Sequence, residues 1–226
     1  MVYITGDTHG DNDYDKLHCL YDFNVTYDDT LIILGDAGIC WIGEITQEYI
    51  ELYEKLHITI IYVDGNHENF DYLETLPVVE YHGALMHKVS DHIYHVMRGE
   101  IMNIEGFSML CIGGAKSMDK YLRKEHYSWW PQEDISVHDI DNARENLKKC
   151  DYRVDLVLTH CCDSYTLIAL LRFPPDRNTE MLNFIDEEVA YRYWMFGHYH
   201  QDATLGDKKC CLYQSVLCVN DLMKAK

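Results

Sequence analysis

The sequence predicts an α/β protein built from two mixed β-sheets packed face to face, with helices outside. Three observations predict it. The first third alternates apolar runs with helical periodicity. The middle breaks into short runs separated by Gly or Asp, the mark of hairpins. Five apolar runs each end in a short motif of Gly, Asp, Asn and His.

Taken in order, Val2-Tyr3-Ile4 reads as a strand leading to a helix near Tyr14–Asp22. Leu31–Leu34 leads to a helix near Glu44–Leu56, where Ile45, Tyr49, Leu52 and Leu56 recur at helical spacing. Ile58–Val63 leads to a short helix near Phe70–Thr75. This βαβαβ order implies parallel strands joined by right-handed crossovers. Val78–Tyr81, Ala84–His87, Ile93–Met97, Ile101–Ile104 and Phe107–Cys111 form a mostly antiparallel region. A helix over 133–149, a strand from Val154, a helix near 180–190, a strand over 192–196 and one or two strands in Cys211–Val219 complete the chain. No repeat, low-complexity tract or Pro/Gly/Ser linker divides it, so one domain over 1–226 is expected.

At 226 residues and 47% apolar content the chain has enough to bury a sizeable core. No run of about 18 apolar residues suggests a membrane span, and no charged-then-apolar signal segment precedes the first strand. A cytoplasmic protein without a membrane partner is expected. The nine Cys lack a repeated Cys-x-x-Cys, and the adjacent pairs Cys161-Cys162 and Cys210-Cys211 suit neither disulfides nor zinc spacing, so reduced, mostly buried thiols are expected. A formal charge of −19 repels polyanions and argues against extensive nucleic-acid binding.

The motifs carry the chemistry. They are Gly6-Asp7-Thr8-His9-Gly10, Gly35-Asp36-Ala37-Gly38, Gly65-Asn66-His67-Glu68, Thr159-His160 and Gly197-His198-Tyr199-His200. In open α/β sheets functional loops gather at the carboxyl ends of strands, and each motif follows an apolar run. Carboxylate, imidazole and amide donors without thiolate suit a pair of divalent cations sharing a carboxylate. Such pairs lie ~3.5–4 Å apart in two-metal hydrolases and stabilise both attacking and leaving oxygens. Borderline metals fit these donors, Mn first, with Fe, Zn or Ni also compatible.

These five ordered blocks, spanning residues 6 to 200, resemble the calcineurin-like metallophosphoesterase superfamily. The resemblance implies a four-layer α/β/β/α sandwich. It implies that Asp7, His9 and His200 bind one metal, that Asn66, His160 and His198 bind the second, and that Asp36 bridges them. Asn66 is also expected to contact substrate. His67 would face the substrate as general acid or as a stabiliser of the leaving group, while Glu68 is expected to cap the following helix, with orienting His67 as the alternative. The implied reaction is hydrolysis of a small phosphomonoester or phosphodiester by a water activated on the metals. A nuclease or nucleotide-pyrophosphate hydrolase of the same superfamily, and a binding scaffold without activity, are the alternatives.

One departure is informative. Phosphoprotein phosphatases of the superfamily carry Gly-Asp-x-Val-Asp-Arg-Gly in the second block, and here the stretch reads Gly35-Asp36-Ala37-Gly38-Ile39-Cys40-Trp41. The Asp-Arg pair is absent. A replacement cation is expected from residues 113–132, read as an active-site lid: Lys116, Lys120 or Arg123 would contact phosphate, with Trp129 or Trp130 stacking on a ring of a phosphorylated small molecule or nucleotide; the alternative is a solvated basic loop with Trp packed onto the core. The eight remaining His, at 18, 57, 82, 87, 92, 95, 126 and 138, are expected to be surface or packed residues.

Overall fold

A computed structural model describes residues 1–40 and 47–224. Its strands, in chain order, are β1 (Val2–Thr5), β2 (Thr30–Leu34), β3 (Thr59–Val63), β4 (Val78–Tyr81), β5 (Ala84–Lys88), β6 (Ile93–Val96), β7 (Glu100–Ile104), β8 (Phe107–Ile112), β9 (Leu156–Thr159), β10 (Tyr193–Phe196), β11 (Ala203–Leu205), β12 (Lys209–Cys211) and β13 (Val216–Cys218). The α-helices are α1 (Gln47–Glu54), α2 (Phe70–Leu73), α3 (Val137–Lys148), α4 (Ser164–Leu171), α5 (Arg177–Met181), α6 (Phe184–Glu188) and α7 (Val219–Lys224).

One sheet runs β13-β1-β2-β3-β6-β5-β4 and the other β11-β12-β10-β9-β8-β7. Parallel strands occupy the middle of both. β1, β2, β3 and β6 pair in parallel in the first, and β8, β9, β10 and β12 in the second. Antiparallel strands finish the edges. The central strands are buried along their whole length because both faces are covered. Alternate residues face opposite ways: Val2, Ile4, Ile32 and Leu34 meet Met109, Cys111, Leu156, Leu158 and Met195 between the sheets. Tyr3, Leu31 and Ile33 turn outward onto Leu17, Leu20, Ile50 and Tyr53. On the other side Val157, Trp194 and Phe196 turn outward onto Ile140, Leu147, Leu167 and Ile185. Those three apolar layers separate the four layers of an α/β/β/α sandwich.

Several details differ from expectation. Residues 14–23 form a 3-10 helix rather than an α-helix. The second helix is described from Gln47, and Trp41, Glu44 and Ile45 lie outside the described residues. The helix expected near 180–190 is two short helices, α5 and α6. The C-terminal apolar run divides between sheets, β12 pairing with β10 and β13 with β1. Helices α4 and α7 were not anticipated, since Ser164–Leu171 is apolar on nearly every side and gives little amphipathic contrast. All nine cysteines are free thiols.

Behind the strand ends lies a buried ion pair. The Arg98 guanidinium donates from Nε to Asp64 Oδ2 at 2.9 Å, and from Nη1 to the Asp134 carbonyl at 3.0 Å and to Asp139 at 3.2 Å. His95 Nε2 reaches Asp64 Oδ1 at 3.2 Å. Burial alone would raise the Asp64 pKa, but Arg98 and His95 hold it well below the ordinary carboxylate range. Asp64 therefore contributes stability that is fully present above the unfolded carboxylate pKa of about 3.9 and is lost as pH falls below it. Asp64→Asn leaves the buried guanidinium without its main counter-charge and is expected to cost about 3 kcal/mol at pH 7. In urea unfolding, the gap between wild type and Asp64→Asn should narrow from pH 7 to pH 3.

Candidate active site

All five motif loops meet where the carboxyl ends of the two sheets face each other. Asp7 and His9 leave β1, Asp36 leaves β2, Asn66 and His67 leave β3, His160 leaves β9, and His198 and His200 leave β10. Asp36 Oδ2 lies 3.5 Å from His9 Nε2, 3.5 Å from His160 Nε2 and 3.9 Å from His67 Nε2. Asp36 Oδ1 accepts the His67 backbone N–H at 2.8 Å. Asp7 Oδ2 lies 3.1 Å from His200 Nε2 and 3.9 Å from His9 Nε2, while Oδ1 accepts the His198 backbone N–H at 2.8 Å. Ligand atoms of Asp7, His9 and His200 lie within 4.8 Å of one another, as do those of Asp7, Asp36 and His160. The His198 ring stands beside this group, its centroid 4.9 Å from that of His160.

A second layer fixes which atom each ligand presents. His9 Nδ1 bonds Asp13 Oδ2 at 2.8 Å, leaving Nε2 toward the carboxylates. Tyr213 donates its hydroxyl to Asp13 Oδ1 at 2.8 Å and stacks on His200 at 4.8 Å. His160 Nδ1 donates to the Leu34 carbonyl at 2.7 Å. Asn66 donates Nδ2 to Ser117 Oγ at 3.2 Å, and Ser117 donates Oγ to Glu133 at 2.6 Å. Lys16 ties the β1 exit to the C-terminal segment, donating to the carbonyls of Gly6, Asp7 and Tyr213. Sequence reasoning missed Asp13, Lys16, Ser117, Glu133 and Tyr213. Only Asp13, four residues after His9, carried a local signal; the other four reach the site from separate parts of the chain.

The donor set fits divalent cations. Burial opposes charge on His9 and His160, yet the Asp36 and Asp7 carboxylates push both pKa values up to about 9. His160 with His200 overcomes burial to hold the Asp7 carboxyl low, and His160 with His9 does the same for Asp36. Asn66 turns its amide oxygen to His160 Nε2 at 3.2 Å. With Nδ1–H committed to Leu34, these are two lone pairs face to face unless a proton or a metal ion lies between them. Asp7 Oδ2 is buried and, apart from the His200 ring nitrogen 3.1 Å away, completes no hydrogen bond. Histidine ligands oriented by a carboxylate and a carbonyl are the usual outer arrangement of metal sites.

The backbone is bent to achieve this. His9, Asp36, His198 and His200 all take left-handed conformations, with φ of 46°, 46°, 66° and 48°, a strain characteristic of functional sites. Gly35 has φ +90°, and a Cβ there would lie 2.1 Å from His160 Nδ1. A Cβ on Gly65 would lie 1.9 Å from Asp36 Oδ1. These glycines let ligands of neighbouring loops touch backbone.

His67 is held differently. Arg123 lies against its ring, with Nη1 2.7 Å from Nδ1 and Nη2 2.8 Å from Nε2, and its Nε pairs with Asp119 at 2.8 Å. A neutral imidazole has one lone pair to accept with, so only one of these contacts is a full hydrogen bond. Burial first, then the Arg123 charge, lower the His67 pKa to about 4 despite Asp36. Lys116 is exposed, and the Lys120 ammonium sits 3.6 Å over the Trp129 ring. The indoles do not face a ligand as expected: Trp129 and Trp130 are buried, Trp130 in the core outside the first sheet. Aromatic burial outweighed presentation. Glu68 does not cap a helix. Asn69 does, accepting the Tyr72 N–H at 3.1 Å. The Glu68 carboxyl is fully buried, and burial followed by the Asp36 and Asp64 charges drives its pKa well up. The Ala37 and Gly65 amides offset part of that rise, yet neither carboxyl oxygen completes a hydrogen bond.

Comparison with known proteins agrees with this geometry. The family model described as calcineurin-like phosphoesterase matches residues 1–202. The lariat debranching enzyme of Schizosaccharomyces pombe is 30% identical over 168 residues, covering 66% of this chain and 35% of that enzyme. The lariat debranching enzyme of Drosophila melanogaster is 29% identical over 107 residues, covering 46% of this chain and 18% of the enzyme. The chain thus matches about a third or less of the length of these relatives. Among solved structures, the TT1561 protein of Thermus thermophilus superposes with a TM-score of 0.53 at 11% identity, covering 94% of this chain and 87% of that one, a likeness of fold alone. With the family match running through every motif loop, the chain belongs to the calcineurin-like phosphoesterase family.

Proposed function

We propose that this chain is a dinuclear-metal phosphodiesterase acting on a small or nucleotide-sized diester. One observation carries the choice of diester over monoester: residues of the cluster line two separate concavities. One, of about 450 Å³, is lined by His9, Asn12, Gly38, Tyr49, His67 and His200. The other, of about 550 Å³, includes Lys116, His198, Tyr199 and His200. His200 lines both, so a phosphorus atom at the cluster has room for an ester arm on each side. A monoester needs only one.

In this reading Asp7, His9 and His200 would hold one cation, Asn66, His160 and His198 would hold the other, and Asp36 would serve both. Manganese is the first candidate, with iron, zinc or nickel compatible with the donors. Bound divalent cations supply Lewis acidity, lowering the pKa of water and drawing charge from phosphoryl oxygens. The chain's own residues do the rest. Asp13 and the Leu34 carbonyl keep two imidazoles in the tautomer that offers Nε2. Ser117 keeps the Asn66 oxygen turned inward. His67 faces the smaller concavity and offers a ring N–H to the leaving oxygen. Arg123, resting on His67, and Lys116, in the larger groove, meet phosphate oxygens, and Lys120 adds positive charge to the same segment. Residues 113–132 form the cover of the site.

The lariat debranching relatives support a second reading in which the diester belongs to a nucleic acid. The net charge of −19 favours a short substrate over a long one.

Bis(p-nitrophenyl) phosphate should be hydrolysed faster than p-nitrophenyl phosphate by protein supplied with Mn²⁺; the reverse order would sink the diester assignment. His67→Ala is expected to retain both metals by elemental analysis and to lose on the order of 10²-fold in kcat, whereas Asp36→Asn loses metal. Equal metal loss in both variants would show that His67 is a ligand. Arg123→Ala should lower kcat/KM about tenfold or more, and an unchanged value on every cleaved ester would remove Arg123 from the substrate site. Because His9 and His160 titrate at about 9, both are protonated at pH 7 without metal and must lose those protons to bind one. Calorimetry in buffers of different ionisation enthalpy should therefore record proton release on metal binding at pH 7, and much less above pH 9.

A further inference from the structure

The larger groove has an unusual character for a phosphate site. On one wall, Leu167 and Leu171 come one turn apart from α4, which ends at Arg172 in a left-handed conformation with φ 58°. The chain then runs through Phe173-Pro174-Pro175 before Asp176 starts α5. Met118, from the segment covering the site, also lines the groove. Phe173 is 54% exposed and Met118 74% exposed, directly beside the ligands His198 and His200. Apolar side chains exposed together in a groove mark a binding surface.

Part of the polar surface along this wall is already engaged. The two prolines have no N–H. Asp176 Oδ1 accepts both the Asn178 and Thr179 amides, at 2.9 and 3.1 Å. The Tyr199 hydroxyl lies 3.4 Å from the Cys162 amide and 3.3 Å from its thiol. A nucleobase would need partners for its polar edge, whereas a hydrocarbon group needs only this lining. Lys116 in the same groove supplies positive charge for the phosphate.

We infer that the groove seats a hydrocarbon group on the substrate, so that the preferred diester carries one alkyl-type arm; this rests on the phosphodiesterase reading above. His67 lines the opposite concavity and not this groove. The arm beside His67 leaves with its oxygen, and the arm in the groove stays on phosphorus. Water supplies the new P–O bond, and its protons go to the leaving oxygen and to solvent.

The test uses Mn²⁺-supplied protein and three p-nitrophenyl diesters, with methyl, hexyl or thymidine 5′ as the second arm. A buried methylene is worth about fourfold, so kcat/KM for the hexyl ester should exceed that for the methyl ester by ~10-fold or more, mainly through KM, and should exceed that for the thymidine ester. Met118→Ser with Phe173→Ser, both at exposed positions, should bring the hexyl-to-methyl ratio of kcat/KM close to one. Equal methyl and hexyl values, a thymidine ester that is best, or a hexyl gain that survives the double substitution would overturn the inference. Calorimetry with methylphosphonate and hexylphosphonate separates the two levels. Tighter hexylphosphonate binding by protein that cleaves none of the esters would sink the phosphodiesterase reading and keep the groove's preference. Equal binding of the two phosphonates would sink the groove.

Discussion

Two carboxylates, Asp7 and Asp36, are buried side by side where the sheets meet, and the rest of the site is arranged around that fact. Like charges in a medium of low polarisability repel strongly and are poorly solvated. Four imidazoles surround them, and two, His9 and His160, are drawn toward the protonated state by the carboxylate charge. A site that holds extra protons at neutral pH because it has too much negative charge is poised to exchange them for metal ions. The left-handed turns at His9, Asp36, His198 and His200 follow from the same demand. Each loop must double back to bring a donor to one point, and that backbone strain is offset by the charge interactions it permits.

This arrangement needs both sheets. Asp7, His9, Asp36 and Asn66 come from the first, and His160, His198 and His200 from the second. The contacts that join the halves are themselves inter-sheet: the His160 ring on the Leu34 carbonyl, and the His198 amide on Asp7. Cations held at the cluster would therefore also cross-link the sandwich at its open edge. The core between the sheets, with Met86, Met102, Met109 and Met195, is soft and adaptable packing. At the edge that carries the motif loops, directional hydrogen bonds take over from that packing.

What could be read from sequence was what is local. Parallel central strands appear as unbroken apolar runs, and a ligand directly after such a run lies at a carboxyl end whatever the rest of the chain does. That made the two sheets and the loop positions of Asp7, Asp36, Asn66, His160 and His200 legible. Contacts set by distant partners were not. Ser117 orients Asn66 across 51 positions, and Tyr213 meets Asp13 across 200; neither residue type announces such a role. Glu68 illustrates the converse failure. An acidic residue just before a helix reads as a cap, but the adjoining Asn69 is a better one, and Glu68 is driven inward instead. Likewise a pair of tryptophans beside a basic stretch looks like a stacking platform, while their large apolar surface is better covered by the core.

The missing Asp-Arg pair of the second motif now has a physical account. At the corresponding positions stand Ile39 and Cys40, each 1% exposed and packed in the core with Tyr62. An arginine at Cys40 would need burial of its charge beside an apolar cluster, so this chain has no place for a phosphate-binding cation there. A phosphate responds to where a guanidinium is, not to which segment carries it. Arg123 rests on His67 from the segment that also supplies Ser117 to Asn66, and its Nε pairs with Asp119. In the proposed reading the cation sits on a different segment, which leaves the second motif free to serve as core. The same stretch orients the Asn66 amide and carries the charge beside His67, so its order and the order of the cluster depend on each other.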